Sequence, residues 1–223
     1  MTVKRILVIA PHPDDETLGL GGSMAKMINQ GHEVYILTVS GHLPPLYSKK
    51  DYDKTINEAY NAYKILGISH SKFLEIPATM VGDEPVHSLN NKITSVINEY
   101  RPNYVYCPFP DRHIDHRVIF ESTLVSTRPV KAGANIELVA AYETLSETHW
   151  NAPYIEPNFT PNLIVDISES INQKIKAVKC YKSQLTIDKG PRSVKAVKAL
   201  AQFRGSQSGF DFGEALYIIR MVS

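Results

Sequence analysis

Ile6-Leu7-Val8-Ile9-Ala10 runs directly into Pro11-His12-Pro13-Asp14-Asp15-Glu16, and this junction decides how the chain is read. The apolar run has the length and β-branched content of a strand buried on both faces, as in a parallel sheet. Two prolines then stop it, since proline cannot donate to a central ladder. One imidazole and three carboxylates therefore stand at the C-terminal end of a strand, which is where open α/β sheets bind ligands. Helical spacing of Leu18, Met24, Met27 and Ile28 begins afterwards, with Thr17 as a candidate cap and Gly31 as the stop. Strand, helix and a second apolar run, 34–40, make a βαβ unit with parallel strands and a right-handed crossover.

Imidazole nitrogen and carboxylate oxygen together suit zinc, or another divalent transition metal. A catalytic zinc typically has three protein ligands and one open position. His12 and Asp15 supply two. The third is sought in Asp111-Arg112-His113-Ile114-Asp115-His116, a second His/Asp group that follows the strand-like run Asn103-Tyr104-Val105-Tyr106-Cys107. In a doubly wound sheet the strand order reverses between the first and fourth strands, so both clusters leave neighbouring strand ends. Adjacent strands are only ~5 Å apart, close enough for His12, Asp15 and His116 to surround one ion.

PHPDDE after the first strand and HxDH about 100 residues later resemble the LmbE/PIG-L family of zinc-dependent N-deacetylases. Arg204-Gly205-Ser206 and Gly213-Glu214-Ala215-Leu216 resemble that family's closing pattern. The resemblance implies a Rossmann-like fold and removal of an acyl group from an amino sugar or a related amine conjugate. It makes His12, Asp15 and His116 the metal ligands and Asp14 the general base. It places His113 at the developing oxyanion, where an imidazolium would stabilise charge. Asp115 is then expected to orient that ring, or else to cap the following helix. Glu16 fits an outer hydrogen-bonding role. The chain departs from the family in three places. Lys54 stands where many members carry a substrate-gripping arginine, and Asp111-Arg112 where many have a tyrosine. Asp188-Lys189-Gly190 replaces a histidine ahead of Pro191-Arg192.

Around this frame the expectation is α/β: a Rossmann-like, doubly wound and mostly parallel sheet flanked by helices, as a single domain over 1–223. Helices are predicted over 52–66 (Ile56, Ala59, Tyr60, Tyr63 and Leu66 inward), over 89–100, after the second motif, over 169–182 behind Ser168, and over 194–204. Further strands are expected at 72–76, 137–142, 162–166 and 216–222. The segment 143–150 follows the fifth strand and carries the only tryptophan. Glu143 and Trp150 there, with Lys54, are the candidate substrate contacts. His42 reads as a plain loop residue.

A net charge of +1 disfavours nucleic acid as a partner, and 43% hydrophobic with 21% charged residues excludes disorder. The N-terminal apolar run is too short for a signal peptide or a membrane span, so a cytoplasmic enzyme with a small-molecule amino-sugar substrate is expected. Homo-oligomerisation is left open. Two cysteines, Cys107 and Cys180, lack metal spacing, and Cys107 reads as core. A nucleotide-binding oxidoreductase is disfavoured, because Gly19-x-Gly21 lies beyond the turn and Met24 fills the third small position. The remaining rivals are a sugar-binding protein that retains the metal site without catalysis, and a hydrolase of non-sugar amides.

Overall fold

The computed structural model describes residues 2–152, 154–187 and 189–222. Strand β1 (Arg5–Ala10), helix α1 (Asp15–Asn29) and strand β2 (Glu33–Gly41) form the predicted opening unit. Then come α2 (Lys49–Leu66), β3 (His70–Pro77), α3 (Val86–Tyr100), β4 (Tyr104–Pro108), α4 (Ile114–Ser126) and β5 (Leu138–Tyr142). The chain closes with β6 (Leu163–Asp166), α5 (Ile171–Val178), α6 (Val194–Ser206) and β7 (Gly213–Met221).

One sheet runs in the order β3-β2-β1-β4-β5-β7-β6. Strands β1 to β5 are parallel, and β7 is antiparallel to both neighbours. Strand β1 pairs on one side with β2 (Ile6 beside Val34) and on the other with β4 (Ile6 beside Tyr104). The strand order reverses there as expected, which sets the ends of β1 and β4 side by side.

Alternation along β1 feeds two cores. Ile6 and Val8 pack with Leu20 and Met24 of α1 and Ala62 and Tyr63 of α2. Leu7 and Ile9 pack on the opposite face with Leu89, Ile93 and Val96 of α3. Burial of each such side chain stabilises by ~1.5–3 kcal/mol, and truncation to Ala costs about 2–5 kcal/mol. A Cβ on Gly22 would come within 2.7 Å of Ile167 Cδ1. Gly19 and Gly21 lie inside α1, so these glycines serve close packing instead of forming a phosphate-binding turn.

Several expected boundaries and phases move. Helix α2 starts at a Ser48–Asp51 capping box and buries Tyr52, Thr55, Ala59, Ala62, Tyr63 and Leu66, leaving Tyr60 exposed. Helix α1 begins at Asp15, before Thr17, whose hydroxyl donates to Glu16. Ser170, not Ser168, precedes α5; the Ser168 hydroxyl turns back onto Asp166.

Candidate active site

Four strand ends and one distant loop build the site. The turn after β1 supplies His12, Asp14 and Asp15; residues 109–116 after β4 supply Asp111, His113, Asp115 and His116. Ala78 and Thr79 come from the end of β3, Ser146 and Glu147 follow β5, and Arg192 arrives from the loop before α6. Of these, His12, Asp14, Thr79, His113, Glu147 and Arg192 line a cleft of about 340 Å³, and Asp15, Asp111, Asp115 and His116 are fully buried.

The Asp15 carboxylate is fully buried beside His12. Its Oδ2 lies 3.1 Å from His12 Nδ1 and 3.3 Å from His116 Nε2. Behind each ring stands another buried carboxylate. Asp111 Oδ2 is 3.0 Å from His116 Nδ1 and also accepts from the Thr148 hydroxyl. Asp115 Oδ2 is 3.0 Å from His12 Nε2 and accepts the Thr79 N–H at 2.7 Å.

Ring nitrogens of His12, His113 and His116 lie within 4.8 Å of one another, close enough to hold a metal ion. Among the described residues, Asp15 Oδ1 and His116 Nε2 are buried without a hydrogen-bond partner. Buried polar atoms are normally satisfied, and orphaned nitrogen and oxygen donors at one point fit a divalent transition metal. Burial pulls the His12 pKa down, but hydrogen bonds and charge from Asp115 and Asp15 outweigh it and carry it up to about 9. Burial also lowers His116, yet Asp15 and Asp111 raise it to about 10.

Asp14 points away from this cluster and into the cleft. Its backbone (φ 125°, ψ −29°) lies where side-chain-bearing residues are rare, a conformation costing ~1–3 kcal/mol. Glu16 supports it: one carboxylate oxygen accepts the Asp14 N–H at 3.2 Å, and the other accepts from Tyr181 and Thr17. Burial raises the Asp14 pKa to about 7, with the Arg192 cation opposing the rise. Arg192 Nη1 donates to Asp14 Oδ2 at 3.0 Å, while its Nε donates to the Ser146 hydroxyl at 3.2 Å. Glu147 lies between two arginines, 3.1 Å from Arg112 and 3.6 Å from Arg192. Thr79 and Ser146 also have positive φ, at 68° and 78°, so strained backbone concentrates around the cleft.

Not every expected contact forms. His113 Nδ1 accepts the Asp115 N–H at 3.2 Å and thereby caps α4, which puts the proton of the neutral ring on Nε2. Burial and the neighbouring His12 and His116 lower its pKa, with Asp115 and Asp15 opposing. The Asp115 carboxylate is 4.0 Å from His113 Nδ1, at the edge of ion-pair distance, and bonds His12 at 3.0 Å; the helix is capped by His113 and not by Asp115.

Trp150 lines the cleft, 58% exposed, as does His42, stacked on Tyr47. Lys54 and Glu143 are not brought in. Lys54 lies on the exposed face of α2, one residue from buried Thr55. Glu143 is buried against Arg204 (2.8 and 2.7 Å) and paired with His149 at 3.2 Å. Asp188, one of the departures noted above, lies outside the described residues. Sequence reasoning missed Arg192 as a site residue and Asp111 as the support of His116. A dense second motif hinted at Asp111, whereas Arg192 was marked only by its place in the Pro191-Arg192 pair.

A doubly wound sheet with a His/Asp cluster and a separate buried carboxylate over one cleft defines a metal-dependent hydrolase. The PIG-L family, described as GlcNAc-PI de-N-acetylase, matches residues 7–126, more than half of the chain, and the chain belongs to that family of metal-dependent deacetylases. It is 27% identical over 231 residues to diacetylchitobiose deacetylase of Thermococcus kodakarensis, covering 97% of this chain and 84% of that one. It is 24% identical over 246 residues to a 1D-myo-inositol 2-acetamido-2-deoxy-alpha-D-glucopyranoside deacetylase of Rhodococcus jostii, covering 84% of each. The crystal structure of the conserved protein TT1542 from Thermus thermophilus superposes with a TM-score of 0.78 at 26% identity, covering 99% of this chain and 97% of that one. Among the described residues no helix is long and apolar enough to cross a membrane.

Proposed function

We propose that the protein is a zinc-dependent hydrolase that removes an N-acetyl group from an amino sugar or amino-sugar conjugate of the N-acetylglucosamine type. The observation that carries this reading is Asp14. It is a buried carboxylate beside the histidine cluster, outside the ligand set, with a pKa near neutrality and one oxygen held by Arg192. His12, Asp15 and His116 would hold the ion, since His12 Nδ1 and His116 Nε2 both converge on Asp15 Oδ2. When bound, zinc lowers the pKa of water and withdraws charge from the acyl oxygen.

The chain's own residues do the rest. With Oδ2 engaged by Arg192, Asp14 takes the attacking water's proton on Oδ1 and returns it to the departing amine. His113 donates from Nε2 to the acyl oxygen as negative charge grows there. Trp150 and Tyr47 offer aromatic surface to a sugar ring at the mouth of the cleft. The names of the relatives support an N-acetyl amino sugar as substrate.

The test is a panel of N-acetylglucosamine, its β1,4-linked disaccharide, nucleotide-linked and inositol-linked forms, assayed for equimolar acetate and free amine. At least one should turn over in the wild type. Asp14→Asn should keep its metal and lose about 10²–10⁴-fold in rate. Full activity in Asp14→Asn would remove the base from this account.

A further inference from the structure

The carboxylate of Asp115 serves a different histidine from the one its place in the second motif suggests. Its Oδ2 is 3.0 Å from His12 Nε2, across 103 residues of chain, and 4.0 Å from His113 Nδ1, two residues away. The nearer ring is the unavailable one, because His113 Nδ1 already accepts the Asp115 N–H and carries no proton to give when neutral. A second donor fixes the same oxygen: the Thr79 N–H at 2.7 Å. Thr79 reaches that position with φ 68°, a conformation L side chains rarely adopt. Three segments, from the ends of β1, β3 and β4, thus meet on one carboxylate oxygen.

The arrangement repeats at the neighbouring ring. Asp111 takes His116 by Nδ1 and leaves Nε2 facing Asp15; Asp115 takes His12 by Nε2 and leaves Nδ1 facing Asp15. Each imidazole is gripped at its far nitrogen, so the near nitrogen of each converges on the same carboxylate. Carboxylates in this position fix the tautomer and orientation of a metal-binding histidine.

We propose that Asp115 is a positioning residue for His12, held by the strained Thr79 backbone, and that it acts on metal affinity. This rests on the reading of His12 as a metal ligand. It makes the Pro77-Ala78-Thr79 turn after β3 part of the metal site without contributing a ligand.

Zinc affinity, measured without substrate by competition against a chromogenic chelator, tests it. Asp115→Asn should bind zinc about 10–100-fold more weakly. Cobalt in that variant should keep its wild-type visible spectrum, because the ligand set is unchanged. Thr79→Gly keeps both the N–H and access to positive φ, so its affinity should stay within about threefold of wild type. In the zinc-loaded wild type, nitrogen-15 spectra of His12 should show Nε2 protonated and Nδ1 ligated, a readout that needs no variant to fold.

Unchanged affinity in Asp115→Asn, the opposite His12 tautomer, or a cobalt spectrum showing a lost ligand would each overturn the proposal. A wild type that binds no zinc would instead remove the metal reading itself. Wild-type binding with a silent Asp115→Asn removes only this inference.

Discussion

Arg192→Met replaces the cation beside the proposed base with an apolar side chain of similar length. In the wild type the guanidinium donates to Asp14 Oδ2 at 3.0 Å, with only 21% of the arginine side chain exposed. The Asp14 pKa is about 7 because burial pushes it up while Arg192 holds it down. Removing an adjacent arginine raises a carboxyl pKa by roughly 1–3. A bound divalent cation lowers wild type and variant together, so the difference between them is the readout. The sign follows from the base role: Asp14 works as the carboxylate, so the acid limb of the kcat/KM profile must move to higher pH. Well below both pKa values the loss approaches about 10–10³-fold, and rate should recover as pH rises. Arg192→Lys should shift the limb less, keeping the charge but not the fork shared with Ser146 and Asp14. The assay is amine release between pH 5 and 10 at constant zinc occupancy. An acid limb that stays in place in Arg192→Met, with zinc retained, would refute the reasoning about Asp14.

Loss of a metal ligand has a different signature. His12→Ala, Asp15→Ala and His116→Ala should each lose bound zinc by elemental analysis, whereas Asp14→Asn should keep it. Proton linkage gives a second expectation for the metal-free protein. The folded pKa values of about 9 for His12 and about 10 for His116 lie above the ordinary imidazole value of about 6.5. Their contribution to stability is therefore complete below about pH 6.5 and is lost as pH rises through about 9 to 10. Urea titrations of the metal-free protein should show stability falling over that window; a flat profile would contradict the ion pairs drawn around Asp15.

Much of the scaffold was legible because its signals are local. The run from Ile6 to Ala10, the prolines that end it and the matching run before Pro108 fix two buried strands, and the order reversal between them brings the motifs together. Helix phase was harder. In α2 the choice of Tyr60 over Tyr52 as an inward residue shifts the stripe, and the true face, Tyr52-Thr55-Ala59-Ala62, turns Lys54 outward. Glu143 lies in a polar segment, but its partner Arg204 is 61 residues away, so burial as an ion pair left no mark in the sequence. Arg192 meets Asp14 across 178 residues from a loop with no periodicity. The Asp115 partnership was hidden for another reason. Sequence proximity favours His113, and only the fold shows that ring spending its Nδ1 on the start of α4.

The proposed mechanism requires metal held by His12, Asp15 and His116 for amide hydrolysis at Asp14. The direct measurement is turnover of an N-acetyl amino sugar by chelator-stripped protein as zinc is returned stepwise, with acetate release and bound zinc followed in the same samples. Release from the stripped protein should be negligible, and activity should rise in proportion to occupancy until about one ion per chain is bound. Undiminished hydrolysis by protein shown to hold no metal would contradict it.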